Sequence, residues 1–165
     1  MADADRGTCR ECGARLVDWS RVHAQDIRDV AHTFDCLRLE LFRHHFWHVE
    51  IPQRAVNYAR RKGRARLREA VRKRIVAAIG EALPARDGYQ TPREGSSNPI
   101  HYAQHASASC CRRCLEEWHG IPTGRPLLGA EVTYITDLAM RYLTERLPAL
   151  TEGGEIVPPV RTPAE

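Results

Sequence analysis

The sequence predicts a mainly α, compact helical domain with a treble-clef-like cysteine site, a long polar loop and room for one short β-hairpin. Three observations point there. Leu67, Val71, Ile75, Ile79 and Leu83 recur every four residues, which lines one face of a helix. Two Cys-x2-Cys pairs, Cys9/Cys12 and Cys111/Cys114, bracket about a hundred residues. Between helix and second pair, Pro84, Gly88, Pro92, Gly95 and Pro99 punctuate a polar stretch over 84–109. A segment of that length without regular structure is usually functional or disordered.

Taken in order, residues 1–8 are expected to form a flexible N-terminus, 9–147 one domain, and 148–165 a flexible Pro/Gly-rich tail. "CRECGARL" reads as a knuckle, two cysteines around a tight turn with Gly13 just after. Ser20 can cap a short helix over "RVHAQDIRD". Residues 30–46 carry a stripe at Val30, Phe34, Leu37, Leu41 and His45, which predicts one helix, although Leu39 and Phe42 fall off it. Pro52 opens the next helix, where its missing N–H is harmless. Gly63 kinks or breaks that helix, and the four-residue repeat carries it on to residue 83. "IHYAQHA" can make a short strand. "CRRCLEEWH" looks like a knuckle running into a helix, and Val132, Ile135, Leu138, Ala139 and Tyr142 mark a last helix over 130–147.

Composition narrows the class. Hydrophobic content is 42% and charged content 28%, as in globular domains, and no stretch is apolar for long enough to span a membrane. "MADADRGTC" lacks the apolar core of a signal peptide. The expected compartment is therefore a reducing cytoplasm, where six cysteines serve a metal more readily than disulfides.

Zinc takes about four soft or borderline ligands in a tetrahedron, and a Cys-x2-Cys turn supplies two at once. The expected ligands are Cys9, Cys12, Cys111 and Cys114, with Cys110, His105 and His119 as alternates. The expected role is structural. An iron–sulfur cluster would use the same thiolates. Cys36 lies beside the helical stripe and reads as a core residue. His44 and His48 share a helix face but lack the metalloprotease glutamate, so they read as packing residues beside Phe46 and Trp47. Asp87, His101 and His105 on the polar stretch are candidates for acid–base work next to a metal.

Net charge is only +4, yet "RRKGRARLREAVRKR" over 60–74 holds nine Lys or Arg against one Glu. The rest of the chain has 16 basic and 20 acidic residues. A helix face bearing Arg60, Arg61, Lys62, Arg64, Arg68, Arg72 and Lys73 suits the phosphates of a nucleic acid. The sequence therefore supports a zinc-binding, nucleic-acid-binding or accessory protein. Two other readings stay open: a metal-dependent hydrolase or nuclease, and a module binding an acidic protein.

The run "DGYQTPREG…IHYAQHASASCCRRCLEEWHGIPTGRPL", with "LFRHHF" and "NYARRKG" upstream, resembles a family of short bacterial proteins classed as a domain of unknown function. The resemblance covers roughly residues 40–147. It implies a bacterial or phage origin and assigns no activity. It also places "TCRECGARL" outside the family's core; a self-sufficient core site would draw on Cys110, Cys111, Cys114 and a histidine, His105 or His119.

Overall fold

The computed structural model describes residues 6–161. Among the described residues, seven α-helices follow one another: α1 (Trp19–His23), α2 (Val30–Arg38), α3 (Leu41–His48), α4 (Gln53–Ile79), α5 (Pro99–Ala106), α6 (Arg112–His119) and α7 (Gly129–Arg146). Among the described residues there is no sheet; one isolated antiparallel bridge, Thr8 to Arg15, closes the N-terminal turn. No helix there is long and apolar enough to cross a membrane.

Helices α4, α5 and α7 pack on one another, α3 lies on α5, α2 on α3, and α1 bridges α2 and α6. The core they share contains Leu67, Val71, Ile75 and Ile79 of α4, Ile100 and Ala103 of α5, and Ile135, Leu138 and Tyr142 of α7. Each Leu or Ile fully withdrawn from water stabilises the fold by about 1.5–3 kcal/mol relative to exposure. The four-residue repeat is thus the interior face of α4, except at its end. Gly80 caps the helix, and Leu83 lies past it, 83% exposed.

Several boundaries differ from the sequence expectation for physical reasons. The single helix over 30–46 is two, broken at Leu39–Glu40. That break rotates the stripe, so Phe46 and Trp47 turn inward while Leu41 is left 84% exposed. His44, His45 and His48 are exposed rather than packed inside, with His44 and His48 stacked at 4.0 Å. The strand expected over "IHYAQHA" is helix α5. The Asn98 carboxamide accepts the Ile100 N–H and Pro99 takes the first turn, a start signal that outweighs the alternating pattern. α1 is capped by Asp18, whose carboxylate accepts the Ser20 N–H.

Gly63 does kink α4, with φ 68° and ψ 171°. The kink takes the N–H groups of Arg64 and Ala65 out of the helical ladder. They donate instead to Thr151 O and Glu152 O of the C-terminal segment, at 2.9 and 3.3 Å. Residues 150–157, expected within a flexible tail, therefore lie along α4. Leu150 and Val157 are buried at either end.

Arg112, the first residue of α6, is 1% exposed. Its guanidinium donates to Ile79 O (3.3 Å) and Glu81 O (2.7 Å) at the carbonyl end of α4, and to Pro122 O (2.7 Å) beyond α6. A cation at a helix C-terminus meets the negative end of its dipole. This side chain fixes the start of α6 against the end of α4.

Candidate metal centre

The site grows from the junction between α5 and α6. Ser107 and Ser109 are fully buried and bonded to each other at 2.9 Å, and the fully buried Gln104 donates to Ser109 O at 3.1 Å. These bonds hold the backbone so that Cys110 enters the interior at 7% exposure and Cys111 becomes the N-cap of α6. The Cys111 sulfur accepts the Cys114 N–H at 3.4 Å. Cys114, one turn on, lies 3.6 Å from Cys110, sulfur to sulfur.

The sulfurs of Cys110, Cys111 and Cys114 all lie within 4.8 Å of one another, a group positioned to bind a metal ion. Three thiolates on a tetrahedral zinc at about 2.3 Å stand about 3.8 Å apart. The observed spacing needs little adjustment to reach that. Without metal, the thiols share charge unequally. Hydrogen bonds from the Cys110 and Cys114 thiols, together with the Cys114 N–H, pull the Cys111 thiol well below its usual range. The same bonds to Cys111 and Cys114, together with burial, push the Cys110 thiol up.

Arg43 of α3 completes the cluster. It is 3% exposed, and its guanidinium donates to the Cys114 sulfur (2.9 Å), the Cys110 sulfur (3.6 Å) and His105 O (2.8 Å). Its Nε lies 3.4 Å from the Glu40 carboxylate. Burial alone would lower its proton affinity, but the sulfurs of Cys110 and Cys114 and the Glu40 charge outweigh that and raise it. On the other side, the Asp87 carboxylate accepts the Arg112 N–H at 3.0 Å, next to Cys111. It adds negative charge at the helix start.

Cys9 and Cys12 are not in this group. Their turn forms as expected, with Gly13 N–H donating to Cys9 O at 2.9 Å. It is anchored elsewhere on α6, at the far end. Arg6 donates to Glu117 O at 3.1 Å, and Trp19 packs on Trp118 at 5.2 Å. The cluster that assembles is Cys110, Cys111 and Cys114, not the four sulfurs Cys9, Cys12, Cys111 and Cys114. Cys36 is buried in the core, as expected.

The histidines are likewise outside the group. His119 is fully buried, its Nε2 donating to Ser107 O (2.7 Å) while Nδ1 faces the Tyr134 hydroxyl (3.2 Å). His105 donates from Nε2 to Thr91 O and Pro92 O and stacks on Phe46 at 4.6 Å. His101 bonds Ser96 Oγ at 2.7 Å. Of the three acid–base candidates, Asp87 alone stands beside the sulfurs. The other two support the loop.

Burial holds the His119 imidazole down to about 4 from its usual 6.5. Below pH 6.5 the unfolded chain binds a proton there that the folded chain refuses, so stability falls as pH drops and the loss is complete near pH 4. One such group contributes on the order of 2–3 kcal/mol over that window. Urea melts of the wild type at pH 7 and pH 4.5 are expected to differ, and His119→Gln to narrow the difference. An unchanged difference in the variant would show that His119 is not the responsible group.

The basic run divides into two sets. Arg60 pairs with Glu155 (2.9 Å), Arg64 with Glu152 (3.0 Å) and Arg68 with Asp137 (2.5 Å). Arg61 donates to Val157 O, Arg74 to Gln104 Oε1, and Lys62 sits over the Tyr58 ring. Arg66, Arg72 and Lys73 are exposed and have no partner among the described residues.

Residues 31–144 match one family model, the Domain of unknown function (DUF4186). The chain belongs to that family. The DUF4186 span runs from α2 to α7 and contains Arg43, Asp87 and the three clustered cysteines. Cys9, Cys12, α1 and the segment on α4 lie outside it. The thiolate group is therefore complete within DUF4186 residues. No solved structure matches the chain.

Arg43 was invisible to a reading by motif. Its signal was a charge three and four residues before Phe46 and Trp47, on the buried face of a helix, where an unpaired guanidinium would be costly.

Proposed function

We propose that this is a zinc-thiolate protein that binds nucleic acid, with the metal held by Cys110, Cys111 and Cys114 and phosphates contacted from the exposed side of α4. The observation that carries the metal assignment is Arg43 against two of the three sulfurs. Three thiolates and a divalent ion sum to one negative charge, and one buried guanidinium cancels it. Buried charge is tolerated when so paired. The ion then staples the α5–α6 junction to α3. Zinc is favoured over an iron–sulfur cluster because a cluster takes four thiolates, one more than this group offers, whereas zinc accepts three protein ligands and a water. The nucleic-acid part rests on Arg66, Arg72 and Lys73, three exposed cations of α4 without partners among the described residues, which outnumber the exposed Glu69 beside them.

Metal analysis of the purified chain tests the first part. About one zinc per chain is expected, lost in Cys114→Ser and kept in Cys9→Ser/Cys12→Ser. A metal-free wild type, or equal loss in the second variant, overturns it. Binding of fluorescent DNA and RNA 20-mers in low salt tests the second part. The Arg66→Glu/Arg72→Glu/Lys73→Glu variant is expected to abolish binding while melting normally, and unchanged binding removes the nucleic-acid reading.

The count of three protein sulfurs favours one other reading. A catalytic zinc keeps three protein ligands and a position for water, with Asp87 here as the nearby carboxylate. X-ray absorption separates the two roles. A bound solvent oxygen that exchanges with cyanide supports catalysis, and a first shell closed by a fourth protein ligand counts against it.

A further inference from the structure

The segment 150–157 is seated on α4 as a ligand would be. Glu152 and Glu155 present carboxylates to Arg64 and Arg60, while Arg61 and Arg64 reach the main-chain carbonyls of Val157 and Leu150. The backbone joins in through Arg64 N–H, Ala65 N–H and Arg60 O. The fit is close. A Cβ on Gly63 would stand 2.4 Å from Gly153 C and O, and one on Gly154 2.0 Å from Arg61 O. Both ion pairs are open to solvent, with side-chain exposures of 40% and 33% for Arg60 and Glu155, and 42% and 72% for Arg64 and Glu152. Exposed pairs are worth about 0–1 kcal/mol each, so a denser anion can displace the carboxylates from these arginines, while Leu150, Val157 and the backbone bonds set the cost of lifting the segment.

Resting on the nucleic-acid reading above, we propose that the Gly63 kink is a phosphate-binding centre and that the C-terminal segment is its built-in competitor. Glu152 and Glu155 stand where two backbone phosphates of a bound strand would lie. Within 60–74 of the resting chain, the row of Arg66, Arg72 and Lys73 is available. A polyanion that first engages this row displaces the acidic segment and gains Arg60, Arg61 and Arg64. The device sets a threshold. Short or sparse anions meet the occupied site, whereas a long strand holds on at the open row and exchanges with the segment.

The test uses the 165-residue chain, fluorescent single-stranded DNA 8-mers and 20-mers, and fluorescence anisotropy across a salt titration. Glu152→Gln/Glu155→Gln leaves the backbone contacts in place and removes the competing charge. On the 8-mer, which meets the occupied site in wild type, it is expected to bind about 5–20-fold more tightly, and its log K against log[salt] slope to steepen by about 1.5–2, the share of two further phosphate contacts. Glu50→Gln/Glu94→Gln, at two exposed acids elsewhere, carries the same net charge change and is expected to gain under threefold. Adding Arg60→Gln/Arg64→Gln to the first variant should return both affinity and slope to the wild-type values. Equal gains in the two glutamine variants, or an unchanged slope, overturn the gating while leaving nucleic-acid binding intact. If no form binds, the nucleic-acid reading fails and the gating with it.

Discussion

An Arg43→Ala chain will lose about 3–5 kcal/mol of stability and most of its capacity to hold a divalent ion. Arg43 makes its contacts in a place that water does not reach. Truncation strands His105 O without its donor and leaves thiolates facing a cavity. In the metal-bound form it leaves one negative charge buried without a partner. Arg43→Lys keeps the charge but not the fork that spans two sulfurs and a carbonyl, so it should fall between wild type and alanine. Urea denaturation with added zinc and with a chelator reads both effects. The gap between wild type and Arg43→Ala should widen when zinc is present, because the charge balance matters most with three thiolates ionised. A variant within 1 kcal/mol of wild type under both conditions would falsify the balance.

Gly63→Ala should cost about 3 kcal/mol and release the C-terminal segment. Two causes add. A φ of 68° with ψ 171° is a region only glycine enters readily, worth about 1–3 kcal/mol to any other residue. The new methyl would also overlap the Gly153 backbone, which can move only by leaving α4. Gly88→Ala isolates the first cause. Its φ is 86°, yet nothing lies within 4 Å of the added carbon, so about 1 kcal/mol is expected. Thermal melts measure the difference, and amide exchange at Arg64 and Ala65 reports the segment's release. Equal melting of the two variants would mean that the close approach at residue 153 contributes nothing.

What the sequence could announce was local. The face of Leu67, Val71, Ile75 and Ile79, the kink at Gly63, the start of α6 at a cysteine and the inward row of α7 all follow from spacing over a few residues. What it could not announce depended on partners distant in the chain. The Arg-rich run looked like one open surface because Glu152 and Glu155 are about ninety residues away. The two Cys-x2-Cys turns looked like halves of one site because matching chemistry says nothing about separation in space. Cys110 enters the group only because buried bonds from Gln104, Ser107 and Ser109 shape the preceding turn. The split between α2 and α3 had left its trace in Leu39 and Phe42, whose departure from the stripe marked a change of helix axis.

The seat of the C-terminal segment has a consequence for how the chain is made. Arg64 and its carboxylate partner Glu152 are 88 residues apart. At about 5–20 residues per second, Arg64 is polymerised roughly 4–18 s before Glu152. Arg60 and Arg64 of the nascent chain therefore wait for their carboxylate partners until the C-terminal segment has been made.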